Sequence, residues 1–196
     1  MAATVVIKQA TGAGPTYDTV DNGANPLRFC AADTHDPGLA TPLVIHASGV
    51  GNYNYSFWVH LFLDITGTYT RINNIRFYSD GAIGWALGTG GKLVVGIRDA
   101  GDNGVPTGSY EQAAGSGDSG YAIEDAVNGH NYYNGQASEP ALVSGYTSGV
   151  TLLVDSANHD NVEEKTKGVV LQVKVDGDAT HGELADETIT FQRDEI

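Results

Sequence analysis

The chain has 196 residues, of which 41% are hydrophobic and 17% are charged, a composition typical of one globular domain. Aspartate and glutamate outnumber lysine and arginine by 24 to 10, giving a net charge of -14, and the basic residues are scattered along the chain. This charge argues against nucleic-acid binding, because a phosphate backbone would be repelled.

The start of the chain, "MAATVVIKQATG", passes directly into an alternating apolar run. It has neither the basic segment nor the long apolar segment of a secretory signal, and no segment reaches the roughly 20 apolar residues that cross a bilayer. We therefore predict synthesis in the cytoplasm without a signal peptide, or a sequence that represents a mature form, and no membrane partner. The single cysteine, Cys30, excludes an intramolecular disulfide and is interpreted as a small buried side chain on a strand.

Alternation with a period of two recurs along the chain, whereas helical periodicity is almost absent, which indicates an all-β protein. We predict a single domain over residues 1–196, folded as an antiparallel two-sheet sandwich of jelly-roll or immunoglobulin-like type. The predicted strands comprise residues 4–9, 27–31, 42–47, 53–66, 69–79, 92–99, 150–155, 168–176 and 187–195.

The strand "YNYSFWVHLFLDIT" at 53–66 has an apolar side chain at every odd position, which predicts one face against the core. Its even positions include Trp58, His60 and Phe62, so the second face also carries large rings. Such rings either stack on sugars or pack beneath a cover. We favour packing, because the face offers few polar groups beside the rings.

In the next strand, "YTRINNIRFYS", the apolar face switches between Ile72 and Ile75. A strict period of two cannot hold both residues inward, so we predict a β-bulge near Asn73 and Asn74. Gly67, at the centre of "ITGTY", predicts a hairpin that pairs this strand with 53–66.

Near the end of the chain, "VVLQVKVDGDATHGELADETITFQRDEI" resembles the last two strands of immunoglobulin-like sandwiches, which often have a "vkVxxDAxxGxxxxtIt" pattern. Gly177 and Gly182 are the expected turn residues, and Ile189 and Phe191 are expected to point inward. The resemblance implies a fold and no function.

Residues 99–149 form a long insertion rich in Gly, Ser, Asn and Tyr, with room for a single helical turn at 122–127. A long irregular segment inside a compact domain is usually functional. Its tyrosines predict packing against the strand at 53–66 or against a neighbouring subunit. They are Tyr110, Tyr121, Tyr132, Tyr133 and Tyr146.

The motif "GDSG" at 117–120 matches the nucleophile motif of chymotrypsin-like proteases. However, Tyr121 follows it, and no upstream histidine stands in an Ala-Ala-His-Cys context, so we interpret it as a turn. No pair of histidines has the spacing of a catalytic zinc site. Acidic residues at strand ends, Asp64, Asp155 and Asp176, would be the carboxylates of a hydrolase, but turns explain them equally well.

Two oxygen-rich turns are weak candidates for calcium. One contains Asp99 and Asp102, and the other contains Asp176 and Asp178. Hard cations favour such oxygens, but aspartate is also an ordinary turn residue, and neither turn has EF-hand spacing. We predict no required cofactor.

In style the chain resembles virion structural proteins of tailed viruses, such as capsid decoration and tail proteins. The shared features are a start that runs into a strand, an acidic charge, Gly-rich and Tyr-rich loops, and an end on the strand "TFQRDEI". The resemblance implies a non-enzymatic, homo-oligomeric subunit located in the virion, with protein subunits as its partners. The expected contact residues are Trp58, His60, Phe62, Trp85 and the five tyrosines of the insertion.

An alternative function is a carbohydrate-binding or adhesive sandwich. Trp58, Trp85 and the tyrosines of the insertion would then form a stacking surface for glycans. A hydrolase on a jelly-roll scaffold is a third hypothesis.

Overall fold

The computed structural model describes residues 3–21, 23, 25–36, 38–47, 49–81, 86–98, 111–130, 141–160, 163–182 and 186–196. In this part of the chain the regular structure is β-strand, apart from one 3-10 turn at Val143–Gly145. The strands are β1 (Ala3–Thr11), β2 (Thr16–Val20), β3 (Asn54–Tyr55), β4 (Val59–Gly67), β5 (Ile72–Ser79), β6 (Gly91–Arg98), β7 (Ala141–Leu142), β8 (Leu152–Asp155), β9 (Glu164–Val175) and β10 (Ile189–Glu195).

The strands form two antiparallel sheets that pack as a sandwich, as predicted. The larger sheet has the order β2-β1-β4-β9-β6-β7, with β3 also paired to β9. The smaller sheet has the order β10-β5-β8. Strands β4 and β9 are therefore the centre of the larger sheet, and β5 is the centre of the smaller one.

The core between the sheets is built from one face of each central strand. Leu61 and Ile65 of β4 have no exposed surface, and neither do Ile72 and Phe77 of β5. Burying a side chain of this size contributes about 1.5–3 kcal/mol relative to leaving it exposed. These residues belong to one cluster with Leu171 and its neighbours on β9, so the core joins both sheets.

The predicted hairpin between 53–66 and 69–79 is wrong. Strand β4 pairs with β1 and β9 in the larger sheet, whereas β5 pairs with β10 and β8 in the smaller one. The connection after Gly67 crosses from one sheet to the other and buries Tyr69 in the core, where this side chain is 6% exposed. Both strands have an apolar face, and these faces pack against each other across the sandwich.

The predicted bulge is confirmed. Asn73 pairs with Asp194 and Arg76 with Gln192, so two residues of β5 lie opposite one residue of β10. Asn74 has a φ of 50°, in the left-handed region that asparagine adopts more readily than most residues. This local change of direction lets Ile72 and Ile75 both be fully buried.

Residues 27–31 and 42–47, predicted as strands, lie outside the named strands. Their alternation still predicts which side chains turn inward. The side chains that pack against the core are Leu27, Phe29, Leu43 and Ile45. They form single backbone bonds, such as Ala31 N–H to the Thr41 carbonyl at 2.8 Å, and no continuous ladder. Strands β2 and β7 were not predicted, because their residues show little apolar alternation.

The two last strands, expected to form an immunoglobulin-like strand pair, lie in different sheets. β9 is central in the larger sheet and β10 is at an edge of the smaller one. Ile189 and Phe191 pack against the core as predicted, and the Phe191 ring lies edge-on to Phe77 with centroids 5.5 Å apart.

Candidate functional site

The outer face of the larger sheet carries the three rings predicted at 53–66. Trp58 is 3% exposed, and His60 and Phe62 have no exposed surface. The cover is this chain's own polypeptide. These side chains are therefore not part of the accessible surface of the isolated chain, and a contact with another subunit would have to displace the cover.

One part of the cover is the segment 111–130, from the predicted insertion. Ile123 and Ala113 from this segment pack against Trp58, Val94 and Val170 as a second apolar cluster. The ring of His130 lies 5.5 Å from Trp58 and 5.7 Å from His60, measured between centroids.

Gln172 of β9 fixes this segment to the sheet. Its side chain is fully buried, and its Oε1 accepts the N–H of Ile123 at 3.1 Å. Its Nε2 donates to the carbonyl oxygens of Tyr121 at 2.8 Å and Ser56 at 3.2 Å. One amide therefore provides hydrogen bonds to backbone groups that would otherwise be buried without a partner.

Strand β2 covers the remaining ring. Tyr17 meets Phe62 edge to face, with centroids 5.6 Å apart and an interplanar angle of 87°. The Nζ atom of Lys165 lies over the ring of this tyrosine, 5.8 Å from its centroid. Edge-to-face pairs are a preferred aromatic geometry, so this contact is a well-formed element of packing.

The other predicted contact residues are divided between surface and core. Tyr121 is 37% exposed, and Tyr146 is half-buried against the main core. Trp85, Tyr110, Tyr132 and Tyr133 lie outside the described residues. The described structure therefore does not bring the predicted tyrosines together.

The "GDSG" motif forms a turn. Gly117 exchanges two backbone hydrogen bonds with Tyr55, of 2.7 and 3.0 Å, and has a φ of 62°. Ser119 is exposed, and its hydroxyl donates to the adjacent Asp118 at 3.4 Å. A Cβ atom on Gly120 would lie 2.8 Å from the Cβ atom of Tyr55, so close packing explains this glycine. The motif thus holds segment 111–130 against β3.

The residues 122–127 form hydrogen-bonded turns. The Asp125 N–H donates to the Ala122 carbonyl at 3.0 Å, and the Asp125 carboxylate accepts the N–H groups of Val127 and Asn128. These two bonds lower the pKa of Asp125 more than burial raises it. When an aspartate side chain accepts the N–H groups of the residues that follow it, it favours a turn over the continuation of a helix.

Of the weak calcium candidates, Asp176 is buried and Asp178 is exposed. Both carboxylate oxygens of Asp176 accept backbone N–H groups, from Gly51 at 2.8 Å and from Asp178 at 3.0 Å. These bonds, with the nearby charge of Lys92, lower the pKa of Asp176 below its ordinary value. Asp99 and Asp102 lie outside the described residues, and the described residues contain no cluster of three or more metal-binding side chains.

A surface that the sequence did not predict is the aliphatic loop, which we define as residues 38–47 and 49–51. Three large aliphatic side chains of this loop face solvent: Leu39 is 66% exposed, Val44 69% and Val50 77%. Beside it lies an open cleft of about 410 Å³, whose lining includes the apolar residues Pro42, Val44 and Ile45 and the polar residues His46, Asn54 and Asp118. A partner that covered these valines and this leucine would remove their apolar surface from water, which is favourable.

Buried polar side chains hold the aliphatic loop in place. Asn54 is 7% exposed and donates through Nδ2 to the carbonyl oxygen of Val44 at 2.8 Å. At the other end of the loop, Asp176 accepts the N–H of Gly51, whose φ of 87° favours glycine. The loop is therefore a fixed surface, attached to the ends of β3 and β9.

We found no matching protein family, no matching curated protein and no matching solved structure for this chain. Among the described residues there is no helix that is long and apolar enough to span a membrane. The function is therefore inferred from the residues of this chain.

Proposed function

We propose that the protein is a non-enzymatic structural subunit that binds neighbouring protein subunits in a larger assembly, such as the virion of a tailed virus. The observation that carries the proposal is the aliphatic loop. It presents Leu39, Val44 and Val50 to solvent, while Asn54 and Asp176 fix its backbone. A preformed apolar surface binds a partner without a large cost in conformational entropy.

The sheet edges support the same function. Among the described strands, β8 and β10 each pair on one side. An open edge offers backbone N–H and C=O groups to a strand of another subunit. Leu153 of β8 is 46% exposed, so this edge adds an apolar side chain to the available contacts.

The contact surface that we propose therefore differs in its residues from the one predicted from the sequence. Trp58, His60 and Phe62 belong to the packing beneath the chain's own cover. The proposed contact surface consists of aliphatic side chains on a loop and of an open strand edge. Both kinds of group can bind another polypeptide, since interface cores bury apolar side chains and an open strand edge can accept a further strand.

The alternative function, glycan binding, is weakened by the burial of Trp58. A sugar-stacking platform requires aromatic faces open to solvent, and Trp58 is 3% exposed. A Trp85→Phe variant would leave Trp58 as the single tryptophan. Its fluorescence should be that of a buried indole and should remain unchanged with a panel of glycans. A shift of the emission on adding a sugar would favour the alternative.

The assembly function is tested by the mass of the purified protein over a wide concentration range, measured by light scattering after gel filtration. We expect an oligomer whose population falls in the double variant Val44→Asp, Val50→Asp. The control is Val127→Asp, at a valine that is 83% exposed on a different segment. It should associate like the unchanged protein. A strictly monomeric protein at high concentration that also fails to bind virus-like particles would refute the proposal.

A further inference from the structure

His159 lies in the connection between β8 and β9, and its backbone is fixed by β5. Its N–H and C=O exchange two hydrogen bonds of 2.9 Å with Ile72, the first residue of β5. The side chain is 7% exposed. The imidazole is therefore buried at the end of the smaller sheet.

The imidazole lies between two carboxylates that belong to different sheets. Nδ1 is 2.7 Å from Oε1 of Glu164, the first residue of β9 in the larger sheet. Nε2 is 3.2 Å from Oδ2 of Asp155, the last residue of β8 in the smaller sheet. One ring thus connects the two layers of the sandwich at this end.

Glu164 makes a hydrogen bond with Nδ1, whereas the contact of Nε2 with Asp155 is an ion pair whose geometry is not that of a hydrogen bond. A carboxylate is an acceptor, and a neutral imidazole has one N–H and one lone pair. Only the imidazolium can donate to Glu164 and also direct an N–H and a positive charge toward Asp155. When the proton leaves, a ring lone pair faces a carboxylate at close range, and a buried charge loses its partner.

Asp155 is built to stay ionised. Its Oδ1 accepts the Ala157 N–H at 2.9 Å, and its Oδ2 accepts the Lys167 N–H at 3.1 Å. Burial alone would raise the pKa of Asp155, but the ion pair with His159 and the bonds from Ala157 and Lys167 outweigh it and hold that pKa below 3.8. The carboxylate therefore keeps its charge when His159 loses its own.

Asp160 also interacts with the charge of His159, and it forms an ion pair with Arg71 at 2.5 Å. The carboxylate of Asp155 raises the pKa of His159, burial lowers it, and Glu164 raises it further, so that the pKa lies above the ordinary 6.5. The titration therefore falls on the alkaline side of an ordinary histidine.

We propose that Asp155, His159 and Glu164 form a pH-dependent clamp between the two sheets, closed while His159 carries its proton and loosened when the proton leaves. The clamp is independent of the assembly function proposed above. Because the folded pKa of His159 is raised, its stabilisation is complete below pH 6.5 and disappears as the pH rises through that folded value.

The first test uses the unchanged protein. In a proton NMR titration, the imidazole of His159 should titrate with a midpoint above 6.5. A midpoint at or below 6.5 would overturn the proposal. This measurement needs no variant, so it does not depend on whether a substituted protein folds.

The second test compares urea unfolding midpoints at pH 6 and pH 9. The urea midpoint of the unchanged protein should be higher than that of His159→Gln. The difference should be largest at pH 6 and smaller at pH 9. His181→Gln, at an exposed histidine, is the matched control and should show no such change with pH. A difference between the unchanged protein and His159→Gln that stays constant from pH 6 to pH 9 would show that the ring is only a packing element.

Discussion

Gly168 lies opposite Phe62 in the ladder between β4 and β9, so close that a Cβ atom at position 168 would overlap the carbonyl oxygen of Leu61 and lie 3.1 Å from Phe62 Cβ. A side chain at position 168 would therefore collide with β4, so the glycine allows this close approach of the two strands. Just before it β9 bulges, and Thr166 there accepts the Leu63 N–H through its hydroxyl at 3.1 Å.

We expect Gly168→Ala to lower the free energy of unfolding by about 1–3 kcal/mol, the usual cost of adding a methyl group to a packed interior. The measurement is urea denaturation followed by circular dichroism. Gly14→Ala is the matched control, because a Cβ atom there has nothing within 4 Å. An equal loss in both variants would mean that glycine content, rather than the close contact with β4, sets the effect.

Gln172→Met should release segment 111–130. The change keeps the volume but removes the hydrogen bonds to Ile123, Tyr121 and Ser56, which leaves buried backbone groups unsatisfied. We expect the free energy of unfolding to fall by at least about 3 kcal/mol, from about 1–3 kcal/mol for each of the three unsatisfied groups. Limited proteolysis should cut first within the segment.

Gln192→Met is the control for that experiment, since Gln192 is exposed on β10. Its stability should change by less than about 0.5 kcal/mol. If Gln172→Met is no more sensitive to protease than this control, the apolar contacts of Ile123 alone are enough to hold the segment.

The bulge at Asn74 predicts an order of stability between two variants. Asn74→Gly and Asn74→Ala both lose the hydrogen bond to Asp194. The left-handed φ at this position is unfavourable for alanine but not for glycine. We expect the glycine variant to be more stable than the alanine variant by about 1–2 kcal/mol in thermal unfolding. The reverse order would indicate that the backbone at 74 leaves the left-handed region.

Asp155 predicts the behaviour of the protein in acid. Because its folded pKa is lowered, its stabilisation is present above pH 3.8 and disappears as the pH falls through the folded value. The stability advantage of the unchanged protein over Asp155→Asn should therefore shrink from pH 5 to pH 2. Asp118→Asn, at an exposed carboxylate, should show no comparable change with pH. If the stability difference between the unchanged protein and Asp155→Asn stayed constant from pH 5 to pH 2, this would contradict a lowered pKa for Asp155.

The period of two along the sequence predicted which side chains are inward. Leu61, Leu63 and Ile65 are buried as the alternation requires, and the odd spacing of Ile72 and Ile75 indicated the bulge between them. Alternation shows which side chains share one face of an extended strand, and the apolar face is the one that packs in the core. The fold class was therefore accessible from the sequence.

Alternation could not identify the partner of each strand. An apolar face on β4 and another on β5 are compatible with a hairpin in one sheet and equally with packing of two sheets against each other. Tertiary packing selects the second arrangement, in which the connection between the strands crosses between the sheets and buries Tyr69. For the same reason, 27–31 was predicted as a strand although it forms no ladder.

The cover of the aromatic face was predicted in part. The insertion was one expected source, and its segment 111–130 does pack on Trp58. Tyr17 of β2 was not expected, because "TYDTV" has too little apolar alternation to indicate a strand. The aliphatic loop was missed because Val44 and Val50 appear apolar in the sequence, and only the folded chain shows that they face solvent.

The position of β4 also affects the order in which the protein can fold during synthesis. β4 needs β1, which is made first, and β9, whose residues follow more than half of the chain later. Until β9 leaves the ribosome, one edge of β4 and the apolar faces beside it stay open, and ladders between distant strands close slowly. A nascent chain arrested before residue 164 should therefore remain sensitive to protease and bound to chaperones, and it should become resistant once β9 can join the sheet.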